Sequence, residues 1–146
     1  MSVRSFTKIW LHIIWATHNR DKLLIDRNFR KEVSSFLYDY SNEKNIYMKT
    51  NYINSDHVHV LLNLPTNKTV EEVLKLLKGG SSHWINKSVN YKFSWGIGYG
   101  AFSISDSNLE TVTKYIKHQE EHHRKKSFSD ELDLFRKMYR MDILNN

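Results

Sequence analysis

Hydrophobic positions along the first half of the chain switch between the period of a strand and the period of a helix. Residues 8–17 are almost continuously apolar and rich in β-branched and aromatic side chains, which predicts a central strand buried on both faces. From Asp26, a plausible N-cap, apolar residues recur at steps of three and four up to Tyr40, which predicts a helix. Residues 46–54 and 57–64 predict two further strands, paired as an antiparallel hairpin because the turn between them is short.

The second half of the chain opens with a helix start signal. Thr69 and Glu72 have the spacing of a capping box, and apolar residues follow at helical steps. The segment Gly79-Gly80-Ser81-Ser82 predicts that this second helix ends or loosens before Trp84. Residues 95–104 predict a fourth strand, in which the glycines mark bulges or close backbone approach.

Two C-terminal helices complete the predicted elements. A third helix is predicted from a cap at Ser105 or Ser107 to about Lys126, and an amphipathic tail helix follows around Phe135. The order β-α-β-β-α-β is that of the split β-α-β, or ferredoxin-like, fold of the α+β class. It predicts one domain over residues 1–146, with an antiparallel sheet that carries helices on one face and leaves the other face open.

Composition narrows the class of protein. The 146 residues include no cysteine, which excludes a disulfide framework, thiolate metal sites and a cysteine nucleophile. No apolar run approaches the roughly 18–20 residues of a membrane span and no signal peptide is visible, so we expect a cytoplasmic protein without a membrane partner. Lysine and arginine total 22 against 16 acidic residues, which gives a net charge of +6 and a pI of about 9.4. This pI lies in the range of nucleic-acid-binding domains, although many basic domains bind no nucleic acid.

Two histidines lie on the predicted third strand. Alternate side chains of a strand share a face, so His57 and His59 point to one side and Val58 to the other, toward the helices. Two adjacent imidazoles can bind one divalent cation, while a pair of solvated surface histidines is the alternative. A family of nucleotide hydrolases carries a longer histidine triad on a strand, but Leu61 occupies the third position here.

A polar stripe follows the predicted third helix. Tyr115, His118, Gln119 and His122 share one helix face and offer a nucleophilic phenol, an amide and two imidazoles. His118 and His122 either assist such chemistry or only lie near it. The alternative is an ordinary solvent-facing surface, and the surrounding lysines suit a phosphate-bearing ligand as well as a solvated face.

The chain resembles the single-tyrosine HUH transposases of the smallest insertion sequences, the TnpA-like enzymes, and their REP-associated relatives. The resemblance covers nearly the whole chain and rests on the order and separation of three segments, residues 55–62, 95–105 and 115–119. It implies a DNA transposase of the prokaryotic nucleoid that cleaves and rejoins single-stranded DNA with hairpins near the element ends. It also implies a homodimer joined edge to edge, in which the C-terminal helix carrying the tyrosine can act in trans.

The resemblance also implies a role for each matching residue. His57 and His59 correspond to the HUH pair, and Gln119 to the third ligand of a Mg²⁺ or Mn²⁺ ion. Tyr115 corresponds to the nucleophile, which attacks a DNA phosphate and holds it as a 5′-phosphotyrosine while a free 3′-OH is left.

Basic and aromatic residues on and after the second helix are predicted to contact DNA, because single strands bind through basic grooves and aromatic platforms. The predicted residues are Lys75, Lys78, Ser81, Ser82, His83, Trp84 and Lys87, together with Lys117 of the third helix. A second group comprises Arg4, Lys8 and Trp10. Taken singly, the tryptophans fit a core and the lysines fit a solvated surface; taken together, they favour a DNA-binding patch.

Three other functions remain open at this point. A catalytically inactive protein of the same fold would bind single strands or hairpins, although all four expected site positions are filled. A replication initiator or relaxase of the wider HUH class is usually larger. A metal-dependent hydrolase would use the histidine pair and a water, and it would survive the substitution Tyr115→Phe.

Overall fold

A four-stranded antiparallel sheet forms the centre of the fold in the computed structural model, which describes residues 6–119 and 127–138. Its strands are β1 (Trp10–Ala16), β2 (Tyr47–Ile53), β3 (His57–Asn63) and β4 (Gly100–Ile104). Their order across the sheet is β2-β3-β1-β4, and every neighbouring pair is antiparallel. This is the α+β, ferredoxin-like order that the sequence predicts, with β2 and β3 forming the expected hairpin.

Four helices are described, together with two short 3-10 turns. They are α1 (Arg27–Glu43), α2 (Val70–Ser88), α3 (Leu109–Lys117) and α4 (Phe128–Met138). Two of the three predicted helix starts are confirmed: the Asp26 carboxylate accepts a hydrogen bond from the backbone N–H of Asn28, and Thr69 and Glu72 form both bonds of a capping box. Among the described helices, none combines the length and the apolarity that crossing a membrane requires.

The sheet is buried on both faces, so the predicted open face is wrong. On one face, Val58, Val60 and Leu62 of β3 pack against α1 and α2 in the main core. On the other face, Leu61 packs with Val112 and Ile116 of α3, while Phe135 of α4 packs on β1 and β4. The apolar sides of the C-terminal helices are buried by covering this face, which stabilises both.

Helix α2 continues without a break past its two glycines, so the predicted end or loosening at residues 79–82 is wrong. A Cβ atom at Gly80 would lie only 2.5 Å from the ring of Tyr40 on α1, whereas a Cβ at Gly79 would have nothing within 4 Å. Gly80 therefore permits close packing of α1 against α2. The capped start and the buried apolar side of α2 carry the helix past both positions.

The fourth strand is shorter than the predicted segment 95–104. Regular pairing begins at Gly100, and Trp95 makes only an isolated bridge with Thr17. Gly98 has a φ of +92°, a left-handed conformation that glycine adopts without steric cost. Residues 96–99 therefore form a loop, and the strand covers only residues 100–104 of the predicted segment.

Helix α3 also differs from its prediction at both ends. Neither Ser105 nor Ser107 caps it, because their hydroxyls bond to each other at 3.1 Å and the helix begins at Leu109. It ends at Lys117, where His118 leaves the helical region with φ −103° and ψ 29°. The rest of the predicted helix, residues 120–126, lies outside the described residues. The tail helix is confirmed as α4.

Candidate active site

The two histidines of β3 lie at the middle of the sheet, on the face that α3 and α4 cover. His57 stands opposite Ala16 of β1, and His59 stands between Ile14 of β1 and Tyr52 of β2. Both imidazoles are completely buried. The strand alternation that places the pair on one face is confirmed, while the covering helices make this face an interior site.

Glu131 of α4 brings a carboxylate to both imidazoles. Its Oε1 atom lies 3.1 Å from Nε2 of His57 and 3.1 Å from Nε2 of His59. One ligand atom from each of these three side chains falls within 4.8 Å of the others. Glu131 is 1% exposed, so this carboxylate is an interior group.

Sequence reasoning missed Glu131, although the chain carries a signal for it. Glu131 and Phe135 are one helical turn apart and therefore share a face of α4. A carboxylate on the apolar face of an amphipathic helix is seldom buried without a partner. That pattern could have marked Glu131 as a group with a cation or an imidazole to meet.

The donor set of this cluster fits a divalent cation. Two imidazole nitrogens and one carboxylate oxygen suit first-row metals, and the set leaves coordination positions open for other ligands. Burial disfavours the charged imidazolium of His57, but the Asp56 and Glu131 carboxylates outweigh burial and raise the pKa of His57. A proton in the metal-free protein and a metal ion would therefore compete for the same imidazole.

Neighbouring side chains fix the far nitrogen of each imidazole. Nδ1 of His57 lies 2.7 Å from Oδ1 of Asp56, and Nδ1 of His59 shares a hydrogen bond of 2.9 Å with Nε2 of His12. Burial and the neighbouring His59 keep the pKa of His12 well below its usual value. These contacts orient both Nε2 atoms toward Glu131, as supporting groups do around metal-binding histidines.

Tyr115 of α3 reaches the same carboxylate. Its hydroxyl donates a hydrogen bond to Oε2 of Glu131, and its ring lies 6.2 Å from the ring of His59 and 5.5 Å from the ring of Phe135. The phenol of α3 and the two imidazoles of β3 therefore contact the same carboxylate, that of Glu131. The structure brings together three of the four residues that the sequence selected for the centre of the site.

Gln119, the fourth residue, is buried beside the cluster. Its Oε1 atom accepts a hydrogen bond of 3.5 Å from Nδ2 of Asn54, and the same Nδ2 atom lies 3.2 Å from Nε2 of His57. Its own Nε2 atom donates to the Tyr115 carbonyl at 3.4 Å. These contacts put Gln119 next to the histidine pair, and its role as a metal ligand stays a prediction.

Of the two histidines predicted as accessory residues, His118 belongs to the described part of the chain and His122 does not. His118 is exposed at the end of α3, with its Nδ1 atom 2.7 Å from the Lys114 carbonyl oxygen. That contact satisfies one of the last carbonyls of the helix. His122 lies outside the described residues.

Most of the predicted DNA-contacting residues belong to α2, in the layer on the far side of the sheet from the histidine pair. Ser81 is completely buried and accepts a hydrogen bond from the Trp95 indole, which removes it from any DNA surface. Lys78 donates to the carbonyls of Gly96 and Gly98. The Trp84 ring is half-buried and stacks on the aromatic rings of α1.

The other predicted DNA contacts are spread over the surface. Lys75, His83 and Lys87 are exposed on α2, and Ser82 is half-buried there. Lys117 is exposed on α3, in the layer of the candidate site. In the second group, Trp10 is buried, Lys8 pairs with Asp106 at 3.2 Å, and Arg4 lies outside the described residues.

Comparisons with known proteins point to one family. Residues 5–119 match the family model described as "Transposase IS200 like". Over 115 residues, the chain is 28% identical to the transposase for insertion sequence element IS200 of Salmonella typhimurium, which covers 74% of each chain. It is 23% identical over 115 residues to the ISDra2 transposase TnpA of Deinococcus radiodurans, covering 74% of this chain and 81% of the relative.

Two solved structures share the fold. One is a Deinococcus radiodurans protein described as a transposase, with a TM-score of 0.64 at 22% identity over 82% of this chain and 97% of that one. The other is a REP-associated tyrosine transposase bound to a REP hairpin, with a TM-score of 0.61 at 13% identity over 84% of this chain and 73% of that one. At these identities the likeness extends to the fold alone.

Proposed function

The chain belongs to the family of IS200-like transposases, and from this membership we propose that it cleaves and rejoins single-stranded DNA with Tyr115 as the nucleophile. One observation carries the proposal. The carboxylate of Glu131 contacts the Nε2 atoms of His57 and His59 through one oxygen and the hydroxyl of Tyr115 through the other. A phosphate group bound at this point would face both a cation site and a nucleophile.

The metal part of the proposal rests on the donor set. His57, His59 and Glu131 would hold Mg²⁺ or Mn²⁺, with Gln119 as a further ligand beside them. When bound, the cation would polarise the phosphate and stabilise the charge that develops on it. Magnesium prefers oxygen ligands and manganese tolerates imidazole better, so two nitrogens and one carboxylate favour manganese.

Tyr115 would perform the covalent step. A phenol has an ordinary pKa of about 10, so its proton must leave as the new bond forms, and Oε2 of Glu131 is the acceptor of its hydrogen bond. The Tyr115 oxygen bonds to phosphorus while the bond from phosphorus to the 3′-oxygen breaks. The phenol proton passes to Glu131, and the leaving oxygen takes up a proton from water to become a 3′-OH. Attack by another 3′-OH reverses the step and rejoins DNA without ATP, because the phosphodiester energy is kept in the tyrosyl link.

The substrate and the assembly complete the proposal. A REP-associated tyrosine transposase of the same fold was solved bound to a REP hairpin, which supports a DNA hairpin as the form recognised. The hairpins would lie near the element ends and the protein would act in the prokaryotic nucleoid, as the resemblance implies. The strands β2 and β4 are the edges of the described sheet, and an edge strand can pair with a second copy to make a homodimer. In such a homodimer the tyrosine helix would act either in its own subunit's site, where Tyr115 contacts Glu131, or in the partner's site.

A denaturing gel tests this proposal. Single-stranded oligonucleotides from the DNA flanking the gene are incubated with the protein and Mn²⁺, with the duplex form and the Tyr115→Phe protein as controls. We expect an adduct that resists denaturation with the single strand alone and that disappears in Tyr115→Phe. Tight binding without an adduct would favour a binding protein, and cleavage that survives Tyr115→Phe would identify a nuclease that uses water.

A further inference from the structure

A basic groove crosses the β2 edge of the sheet beside the candidate active site. It has a volume of about 450 Å³, and α1, β2 and the end of α3 line it. The lining residues that matter for its chemistry are Arg27, Arg30, Lys31, Asn51, Tyr52 and Lys117. Of the DNA-contacting residues predicted from the sequence, only Lys117 lines this groove.

The charge of the basic groove selects an anionic ligand. Four of its lining residues are lysine or arginine, and none of its lining residues is acidic. Like charges gathered in a concave surface repel one another, and a bound anion relieves that repulsion. Four cationic side chains contributed by two helices match a chain of phosphates better than they match a single small anion.

Hydrogen bonds hold the α1 and β2 residues that line the basic groove in place. Nη1 of Arg30 donates to the backbone carbonyls of Leu24 and Ile25, at 2.9 and 2.6 Å. The Ser34 hydroxyl donates to Oδ1 of Asn51 at 2.5 Å, and Nδ2 of Asn51 donates back to the Ser34 carbonyl at 3.2 Å. Helix α1 is therefore tied to β2, and the groove is formed before a ligand arrives.

The basic groove leads toward the nucleophile. Tyr52 of its lining pairs with His59 across β2 and β3, and it packs in the same cluster as Tyr115. Lys117 follows Tyr115 by two residues and stands on the same layer. A half-buried aromatic ring among basic side chains is the combination on which single-stranded nucleic acids bind.

We propose that the basic groove holds the sugar–phosphate backbone of the single-stranded DNA that continues from the phosphate attacked by Tyr115. This inference rests on the proposed function for its substrate class. It assigns strand binding to the α1–β2–α3 edge and not to the α2 face.

Equilibrium binding tests the assignment separately from the chemistry. The protein carries Tyr115→Phe, so no adduct can form, and fluorescence anisotropy with a labelled single strand from the gene's flanking DNA gives the Kd at several salt concentrations. The groove variant is Lys31→Gln with Lys117→Gln. The matched control is Lys44→Gln with Lys68→Gln, which removes the same charge at the opposite end of the sheet. A third protein, Lys75→Gln with Lys87→Gln, tests the α2 face.

We expect the groove variant to weaken binding at least roughly fivefold and to lower the salt slope by about 1.4, at about 0.7 for each lost phosphate contact. The other two proteins should stay within about twofold. Equal losses in all three proteins, a loss confined to the α2 variant, or tighter binding of RNA of the same sequence would overturn the assignment. So would a change in oligomeric state of the groove variant, because the groove would then belong to an interface between copies.

The two proposals fail in different ways. If the unchanged protein forms no adduct but the groove variant alone loses affinity, the basic groove stands as a strand-binding site and the covalent chemistry is wrong. If the adduct forms and the groove variant binds as well as the control, the chemistry stands and the groove assignment is wrong.

Discussion

At the scale of single residues, the Glu131 carboxylate joins groups that lie far apart in the sequence. It contacts His57 and His59 of β3 and Tyr115 of α3. Both histidines and Glu131 itself are buried. A carboxylate buried against two imidazoles is favourable only while protons or a cation balance the charge. The buried Glu131 carboxylate therefore requires a balancing positive charge, which comes either from protons on the imidazoles or from a bound cation.

Replacing Glu131 by Gln tests its part in metal binding. The amide keeps the size of the side chain and removes its charge, so we expect the affinity for Mn²⁺ to fall at least about tenfold. Isothermal titration of the metal-free protein measures it. Glu110→Gln is the matched control, because Glu110 is an exposed residue of α3 that pairs only with Lys114 among the described ion pairs. Equal Mn²⁺ affinities of the two variants would contradict a ligand role for Glu131.

The raised pKa of His57 predicts how pH acts on the site. A raised folded-state pKa means that the charged imidazole stabilises the metal-free fold below the unfolded pKa of about 6.5, and that this contribution is lost as pH rises through the folded pKa. Metal binding must displace the same proton, so the increase in Tm caused by Mn²⁺ should grow as the pH rises from about 6.5 through the raised folded-state pKa of His57.

Thermal unfolding with and without Mn²⁺ across this range is the measurement. In Asp56→Asn, which removes one of the carboxylates that raise the pKa of His57, the onset of stabilisation by Mn²⁺ should move to lower pH. An Mn²⁺ effect that is the same at every pH would show that His57 carries no proton for the metal to displace.

At the scale of elements, the two glycines of α2 make a test of helix packing. Gly79→Ala should raise the free energy of unfolding by about 0.5–1 kcal/mol, because alanine favours the helix and its Cβ meets nothing within 4 Å. Gly80→Ala should be less stable than Gly79→Ala, since its Cβ displaces the Tyr40 ring that stacks on Phe36. Urea unfolding of both variants measures the difference, and equal stabilities would show that Tyr40 moves away at no cost.

Element prediction from the sequence succeeded where the signal is local. The alternation of side chains along β3 and the capping box at the start of α2 depend on residues a few positions apart, and both are confirmed. It failed where a distant residue decides the outcome. Gly80 alone predicts a helix break, whereas its place in α2 is explained by the close approach of Tyr40 from α1. The error at residues 96–99 has a local cause, because the backbone adopts a left-handed conformation at Gly98.

At the scale of the whole molecule, the sheet separates two layers with different roles. Helices α1 and α2 close the main core, while α3 and α4 cover the histidine pair and bring Tyr115 and Glu131 to it. The pattern of histidines on a strand and of a tyrosine on a helix predicted two sides of the candidate site. The local pattern around Phe135 could have marked Glu131 as a buried carboxylate, but its contact with His57 spans 74 residues of the chain, a separation that no periodicity reports.

The measurement that tests the central claim most directly is mass spectrometry of the protein after reaction with single-stranded flanking DNA and Mn²⁺. We predict a covalent mass gain equal to the DNA fragment on the 3′ side of the cut, attached through its 5′-phosphate to the peptide that contains Tyr115. Cleaved DNA with a free 5′-phosphate beside unmodified protein would contradict the account, and so would an adduct on any other tyrosine.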